Sequence, residues 1–206
     1  MLMHISASPR GEESESLAIA RTFLDALADR RPDITVETFD LWDGSLPPFG
    51  PAAAAAKMKV FAGEEPAGAE AAAWRAAERT FARFAAADYY LFSVPMWNHG
   101  VPYVLKQFID VVSQPGMVFS FDPQDGYTGL VTGKRAVVVY TSAVYGPGRP
   151  AAFGGDFQAP YFSGWLAWAG ITDVAEVAFR PDLATADADA DRQAAHAAAR
   201  DLAKTF

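Results

Sequence analysis

The 206-residue sequence contains no cysteine. That absence excludes disulfides, thiolate nucleophiles and iron–sulfur ligation together. Histidine is nearly as scarce: only His4, His99 and His196 occur, none at the short spacing of a helical zinc motif, so no metal site is expected. Basic charge is short too. Lys and Arg number 17 against 25 Asp and Glu, a net charge of −8, which offers no basic face to nucleic acid or an anionic membrane. The alanine-rich stretches are broken by charge or proline, so none reads as a membrane span. No basic stretch precedes the first apolar run, residues 1–5, which is too short for a secretory signal; a cytoplasmic protein is expected. Any redox chemistry must then reside on a borrowed organic cofactor.

What is present is globular in character: 51% of residues are hydrophobic and 20% charged, which suits one domain over residues 1–206. Short apolar runs at residues 2–6, 34–39, 89–94, 135–141 and 174–179 read as strands. Helical patterns separate them. A first helix starts at Ser14 or Ser16, carries Leu17, Ala20, Leu24 and Leu27 on one stripe, and closes before Pro32. Others are predicted over residues 69–86, 102–113, 161–169 and 187–203, with a loop at 41–51 and a glycine- and aromatic-bearing excursion at 116–133. Strands alternating with helices predict an α/β fold: a doubly wound, five-stranded parallel sheet in the flavodoxin-like order 2-1-3-4-5, with helices on both faces.

Ligands of such sheets bind beyond the carboxyl ends of the strands, at the switch point. Three loops there draw interest: residues 7–16, 95–100 and 142–149. The first holds Ser8, Arg10, Ser14 and Ser16 ahead of a helix, hydroxyls and free amides that suit a phosphate. Ordinary helix capping by Ser14 or Ser16 is the competing explanation. Glu12, Glu13 and Glu15 must point away if an anion binds there. The loop contains no Gly-x-Gly-x-x-Gly and no Gly-Lys-Ser/Thr, which disfavours a dinucleotide Rossmann site or a P-loop and leaves a mononucleotide phosphate. In the second loop, Pro95-Met96-Trp97-Asn98-His99-Gly100, Trp97 can lie against a flat ring and Asn98 can bond along a heterocycle edge. A core Trp beside a turn-forming Asn would explain the same residues.

With those loops laid out, the sequence resembles the FMN-dependent NADH:quinone oxidoreductase/azoreductase family of the flavodoxin-like superfamily. The resemblance runs through Pro95-Met96-Trp97-Asn98, the segment 101–110, Val118-Phe119, the segment 129–134, Pro160-Tyr161 and Gly170-Ile171-Thr172-Asp173. It implies that Ser8, Ser14 and Ser16 with the backbone of Glu15 hold an FMN phosphate. It further implies that Met96, Trp97, Asn98 and His99 line the isoalloxazine, with Ser142, Ala143, Val144 and Tyr145 beneath its pyrimidine edge. Two active sites at a homodimer interface are implied, with Phe119 and Phe162 helping to form the substrate slot. The implied activity is two-electron, ping-pong transfer from NADH or NADPH to a quinone or azo acceptor. His99 is the one candidate proton donor, although a structural His shaping the pocket is an equal alternative. His99 stands where the family commonly has Phe, and Ser142-Ala143-Val144-Tyr145 stands where it often has Ser-x-Gly-Gly. Both departures predict a shifted acceptor range. A flavin reductase supplying reduced FMN and a flavodoxin-type electron carrier are the alternative functions, with a flavin-free binding module as a third.

Overall fold

A computed structural model describes residues 1–206. The chain starts on β1 (Leu2–Ser6), all five of whose residues are buried. A strand apolar on both faces must lie inside a sheet covered on both sides. There follow α1 (Glu15–Arg30), β2 (Val36–Asp40), α2 (Pro51–Phe61), α3 (Gly68–Ala85) and β3 (Tyr89–Pro95). The second half comprises α4 (Tyr103–Val112), β4 (Phe119–Asp122), β5 (Gly126–Gly129), β6 (Arg135–Thr141), α5 (Ala159–Ala169), β7 (Asp173–Phe179) and α6 (Ala188–Lys204). The helix α2 was not expected, because its alanine run marks no apolar face. In α1 the buried stripe is Ile19, Ala20, Phe23 and Leu27, so Leu17 and Leu24 flank the stripe rather than form it.

Five strands form one parallel sheet in the order β2-β1-β3-β6-β7. The expected order 2-1-3-4-5 is corrected by an antiparallel hairpin within residues 116–133: β4 and β5 pair only with each other. The two strands have four residues each, mostly exposed, and so cannot enter a sheet covered on both faces. Instead the hairpin seats on the end of α5. A Cβ on Gly129 would lie 2.4 Å from the backbone nitrogen of Gly170, so only glycine permits the approach.

Alternation along the strands builds two cores. Met3, Ile5, Phe92, Val138 and Tyr140 face α3, α4 and α5, where Phe84, Phe108 and Phe162 meet them. Leu2, Leu91, Val139 and Phe179 face Ile19 and Phe23 of α1 and Ala195 and Ala199 of α6. Helices therefore cover both faces. At the carboxyl edge, the ladder bonds run one residue past the strands: Ala7 N–H donates to Ser93 O (3.1 Å), Leu41 N–H to Ser6 O (3.0 Å), Met96 N–H to Thr141 O (2.7 Å) and Ser142 N–H to Phe179 O (3.3 Å). Each loop thus departs from a position set by its neighbouring strand.

One polar residue sits among these strands. His4 is 6% exposed, and its Nε2 lies 2.8 Å from the hydroxyl of Ser93. That hydroxyl donates onward to Ser16 O at 3.4 Å, so the imidazole supplies Nε2–H to it. Burial lowers the pKa of His4 to about 4. The unfolded chain binds this proton more readily, near pH 6.5, so folding stability is fully present above that value and is lost as pH falls from 6.5 through about 4. The predicted loss is about 3 kcal/mol. Urea unfolding across this range should show it, and His4→Gln, which keeps a donor toward Ser93 without titrating, should flatten the difference.

Candidate functional site

The first strand delivers the chain to the N-terminus of α1. Ser14 is the N-cap, its hydroxyl accepting from Leu17 N–H at 3.4 Å. The amides of Glu15 and Ser16 open the helix and have no intrahelical acceptor. Ser8 and Ser14 are 5% and 3% exposed at the rim of a cleft of about 230 Å³, which Pro95, Met96 and Thr141 also line. Ser16 lies behind, fully buried, its hydroxyl 3.1 Å from that of Ser14. The acidic neighbours are partly disposed of. Glu12 is exposed; Glu13, also exposed, and Glu15 both line the cleft with Arg10, and Glu15 pairs with Arg192 of α6 at 2.9 Å. Asp182, on the rim, has its carboxyl pushed above the usual range, first by burial and then by the charge of Glu15.

Beyond β3 the chain makes a very tight turn. Trp97 and Gly100 exchange backbone hydrogen bonds of 2.9 Å in both directions. Asn98 (φ 49°) and His99 (φ 72°) between them are both left-handed, which is the mirror-image two-residue hairpin turn. Asn and His visit this region more often than other non-glycine residues, yet two in succession must be held by their surroundings. The hold is visible: His99 O accepts from Phe157 N–H (2.9 Å), and His99 Nδ1 accepts from Gly155 N–H (3.0 Å). Trp97 packs against Trp42 at 5.6 Å between ring centroids, and the indole N–H of Trp42 donates to Ala7 O at 3.0 Å.

A second cleft of about 330 Å³ lies between this turn and the loop after β6, lined by Asn98, His99, Val144, Tyr145 and Phe153. It shares Met96, Ser142 and Ala143 with the first, so the two form one trough along the ends of β1, β3 and β6. Its far wall is braced. The hydroxyl of Ser142 donates to Tyr145 O (2.6 Å), while Asp182 N–H donates to Ser142 O (2.8 Å) and Leu183 N–H to Ala143 O (3.1 Å). Behind the wall, Arg180 and Asp156 pair at 2.8 Å with side chains 8% and 17% exposed. The other carboxylate oxygen of Asp156 accepts from the amides of Gln158 and Ala159, both at 3.0 Å, at the start of α5.

Comparison with known proteins agrees with this architecture. A family described as having a flavodoxin-like fold matches residues 1–203. An FMN-dependent NADH:quinone oxidoreductase of Ruegeria pomeroyi is 44% identical over 189 residues, covering 92% of this chain and 93% of that protein. A second protein of that name, from Desulfotalea psychrophila, is 40% identical over 88% of this chain and 85% of its own. The chain belongs to this family of flavodoxin-like FMN-dependent NADH:quinone oxidoreductases. Among solved structures, an azoreductase from Bacillus anthracis superposes with a TM-score of 0.90 at 25% identity, covering 100% of this chain and 99% of the other.

Most of the residues anticipated from sequence converge on the trough: Ser8, Ser14, Glu15 and Trp97 at one end, Asn98, His99, Val144 and Tyr145 at the other, with Met96, Ser142 and Ala143 lining both. Two do not. Phe119 and Phe162, expected in a substrate slot, are core residues of the chain, 3% and 0% exposed. Phe162 meets Phe92 at 5.0 Å, and Phe119 meets Trp168 at 4.8 Å. The correction has a plain cause: both sit on the inward faces of their elements, which loop aromatics in a linear sequence do not disclose. Thr141, Phe153, Asp182 and Leu183 line the trough unanticipated. Asp182 and Leu183 could have been found, because the segment after β7 must leave from the same edge as the other loops. For the buried pair, Asp156→Ala leaves Arg180 without its carboxylate and α5 without its cap; a loss of about 3 kcal/mol in urea unfolding is predicted. Asp156→Asn keeps the capping oxygen and should lose less.

Proposed function

We propose that the chain is an FMN-dependent NAD(P)H oxidoreductase that reduces quinones and azo compounds, with residues 1–206 acting as a single FMN-binding domain in a cytoplasmic homodimer. The observation that carries this reading is the continuity of the trough. One end offers hydroxyls and unmatched helix amides, and the other is a slot between a strained turn and a braced loop. The names of relatives 44% and 40% identical point the same way.

The residues present fit the cofactor's two chemistries. The hydroxyls of Ser8 and Ser14 and the amides of Glu15 and Ser16 would hold the phosphate, with the dipole of the 16-residue α1 behind them. Arg192 pairs with the Glu15 carboxylate at 2.9 Å and offsets its charge, and Arg10 on the same lining faces the remaining acids Glu13 and Asp182. Met96, Trp97, Asn98 and His99 would hold the ring from one side and the wall at residues 142–145 from the other. FMN, when bound, supplies the two-electron, ping-pong relay between NADH or NADPH and the acceptor. The protein's work is to fix the ring against Trp97, whose indole is itself held by Trp42, and to leave a face open for planar partners. The exposed Phe121, Tyr127 and Phe157 give a second copy of the chain an aromatic surface to cover.

The test is anaerobic titration of the purified, FMN-loaded protein with NADH and then a simple quinone, followed by absorbance. Bleaching by NADH in one two-electron phase and full recovery with quinone is the expected result. Accumulation of a one-electron state would favour an electron carrier, and release of reduced FMN would favour a flavin supplier. Failure to retain FMN sinks the reading. Replacing Ser8 and Ser14 together with Ala should weaken FMN binding by at least about tenfold, as two hydrogen bonds to a charged group predict.

A further inference from the structure

We propose that His99 is a positioning residue: its imidazole keys the loop at residues 142–157 to the turn at residues 97–100, with Gly154 as its socket, and so sets the width of the ring end of the trough. This deepens the functional reading above and rests on it for the meaning of the slot. Within residues 150–157 the other hydrogen bonds are largely local, Phe153 N–H to Pro150 O and Gly154 N–H to Ala151 O. The ties to the rest of the protein are the Arg180–Asp156 pair at one end and the two bonds to His99. Phe153, on the short 3₁₀ turn Ala151–Phe153, lines the same cleft as His99. Moving that turn therefore moves a wall of the slot.

The fit of ring to loop is specific. Gly154 has φ +99°, and a Cβ there would lie 2.6 Å from His99 Cε1 and 2.8 Å from Nδ1. A side chain at residue 154 and an imidazole at residue 99 exclude each other. The bond from the Gly155 amide also settles the tautomer. An N–H can donate only to an unprotonated nitrogen, so Nδ1 carries the lone pair and the ring proton sits on Nε2. An aromatic hydrocarbon side chain at residue 99 would fill the space without accepting that bond.

Two substitutions separate the acceptor from the backbone strain, since glycine and asparagine both tolerate the left-handed region. His99→Gly removes the acceptor, whereas His99→Asn places its side-chain carbonyl near the position of Nδ1. Amide-resolved hydrogen exchange and steady-state kinetics with a simple quinone are the readouts, with FMN content measured in each protein. His99→Gly should speed exchange of the Gly155 amide about fivefold and raise the quinone KM by a similar factor, as one lost hydrogen bond predicts, with kcat changed less. His99→Asn should return both toward the parent values. Unchanged Gly155 exchange in His99→Gly, or an Asn variant no better than Gly, overturns the proposal. A parent protein that holds no FMN overturns the functional reading instead, and the exchange experiment then still decides whether the latch exists.

Discussion

The parallel register of β1, β3 and β6 is the constraint on which the rest depends. Parallel strands send every following loop off the same edge, and here the ladder bonds extend past the strands into those loops. Met96 N–H donates to Thr141 O and Ala7 N–H to Ser93 O, so the first residue of each loop is placed by its neighbour's backbone rather than by its own side chain. Three segments far apart in the chain thereby line one trough. A slip of one residue in β3 would exchange the two faces of that strand and carry the 97–100 turn away from both partners.

Around that edge the protein places its costly features and braces them from behind. The turn at Asn98 and His99 is strained, yet it is pinned by its own cross-turn bonds and by the 142–157 loop. The loop is pinned in turn by Asp156, which serves Arg180 and the start of α5 with its two oxygens. On the α1 side, the neutral His4 reaches Ser16 through Ser93, a buried polar line beneath the helix terminus. Two apolar cores, one on each face of the sheet, supply the stability against which these local costs are set.

Much of this was legible in the residue order. The run at residues 135–141 has five apolar residues in a row, Ala136 to Tyr140, and is the strand β6 (Arg135–Thr141). Ser14 and Asp187 stand as side-chain caps on the helices they precede. The loops at residues 95–100 and 142–149 were singled out by position, Trp97, Asn98 and His99 by composition, and Met96 and Ser142 to Tyr145 by the family resemblance; residues of both loops line one trough. What escaped notice had weak local signals. The helix α2 follows Gly50 as a run of alanines with no polar side to mark orientation. The β4–β5 hairpin is short and exposed, so it lacks the burial that gives a strand its apolar pattern. Phe119 and Phe162 looked like loop and interface aromatics, because hydrophobicity says that a residue is buried without saying against what.

The sequence by itself determined the alternation of strand and helix, the absence of any thiol, the net negative charge and the hydroxyl-bearing helix start. These are local properties, set by composition, periodicity and capping. Only the tertiary structure decided that Asp182 joins Ser8 and Ser14 on one rim, that Trp42 backs Trp97, and that His99 spends its Nδ1 on the amide of Gly155. Those facts depend on which strands are neighbours and how loops of different length settle against each other. Such contacts arise from residues up to 177 positions apart, as in Glu15 and Arg192, and no local pattern encodes their meeting.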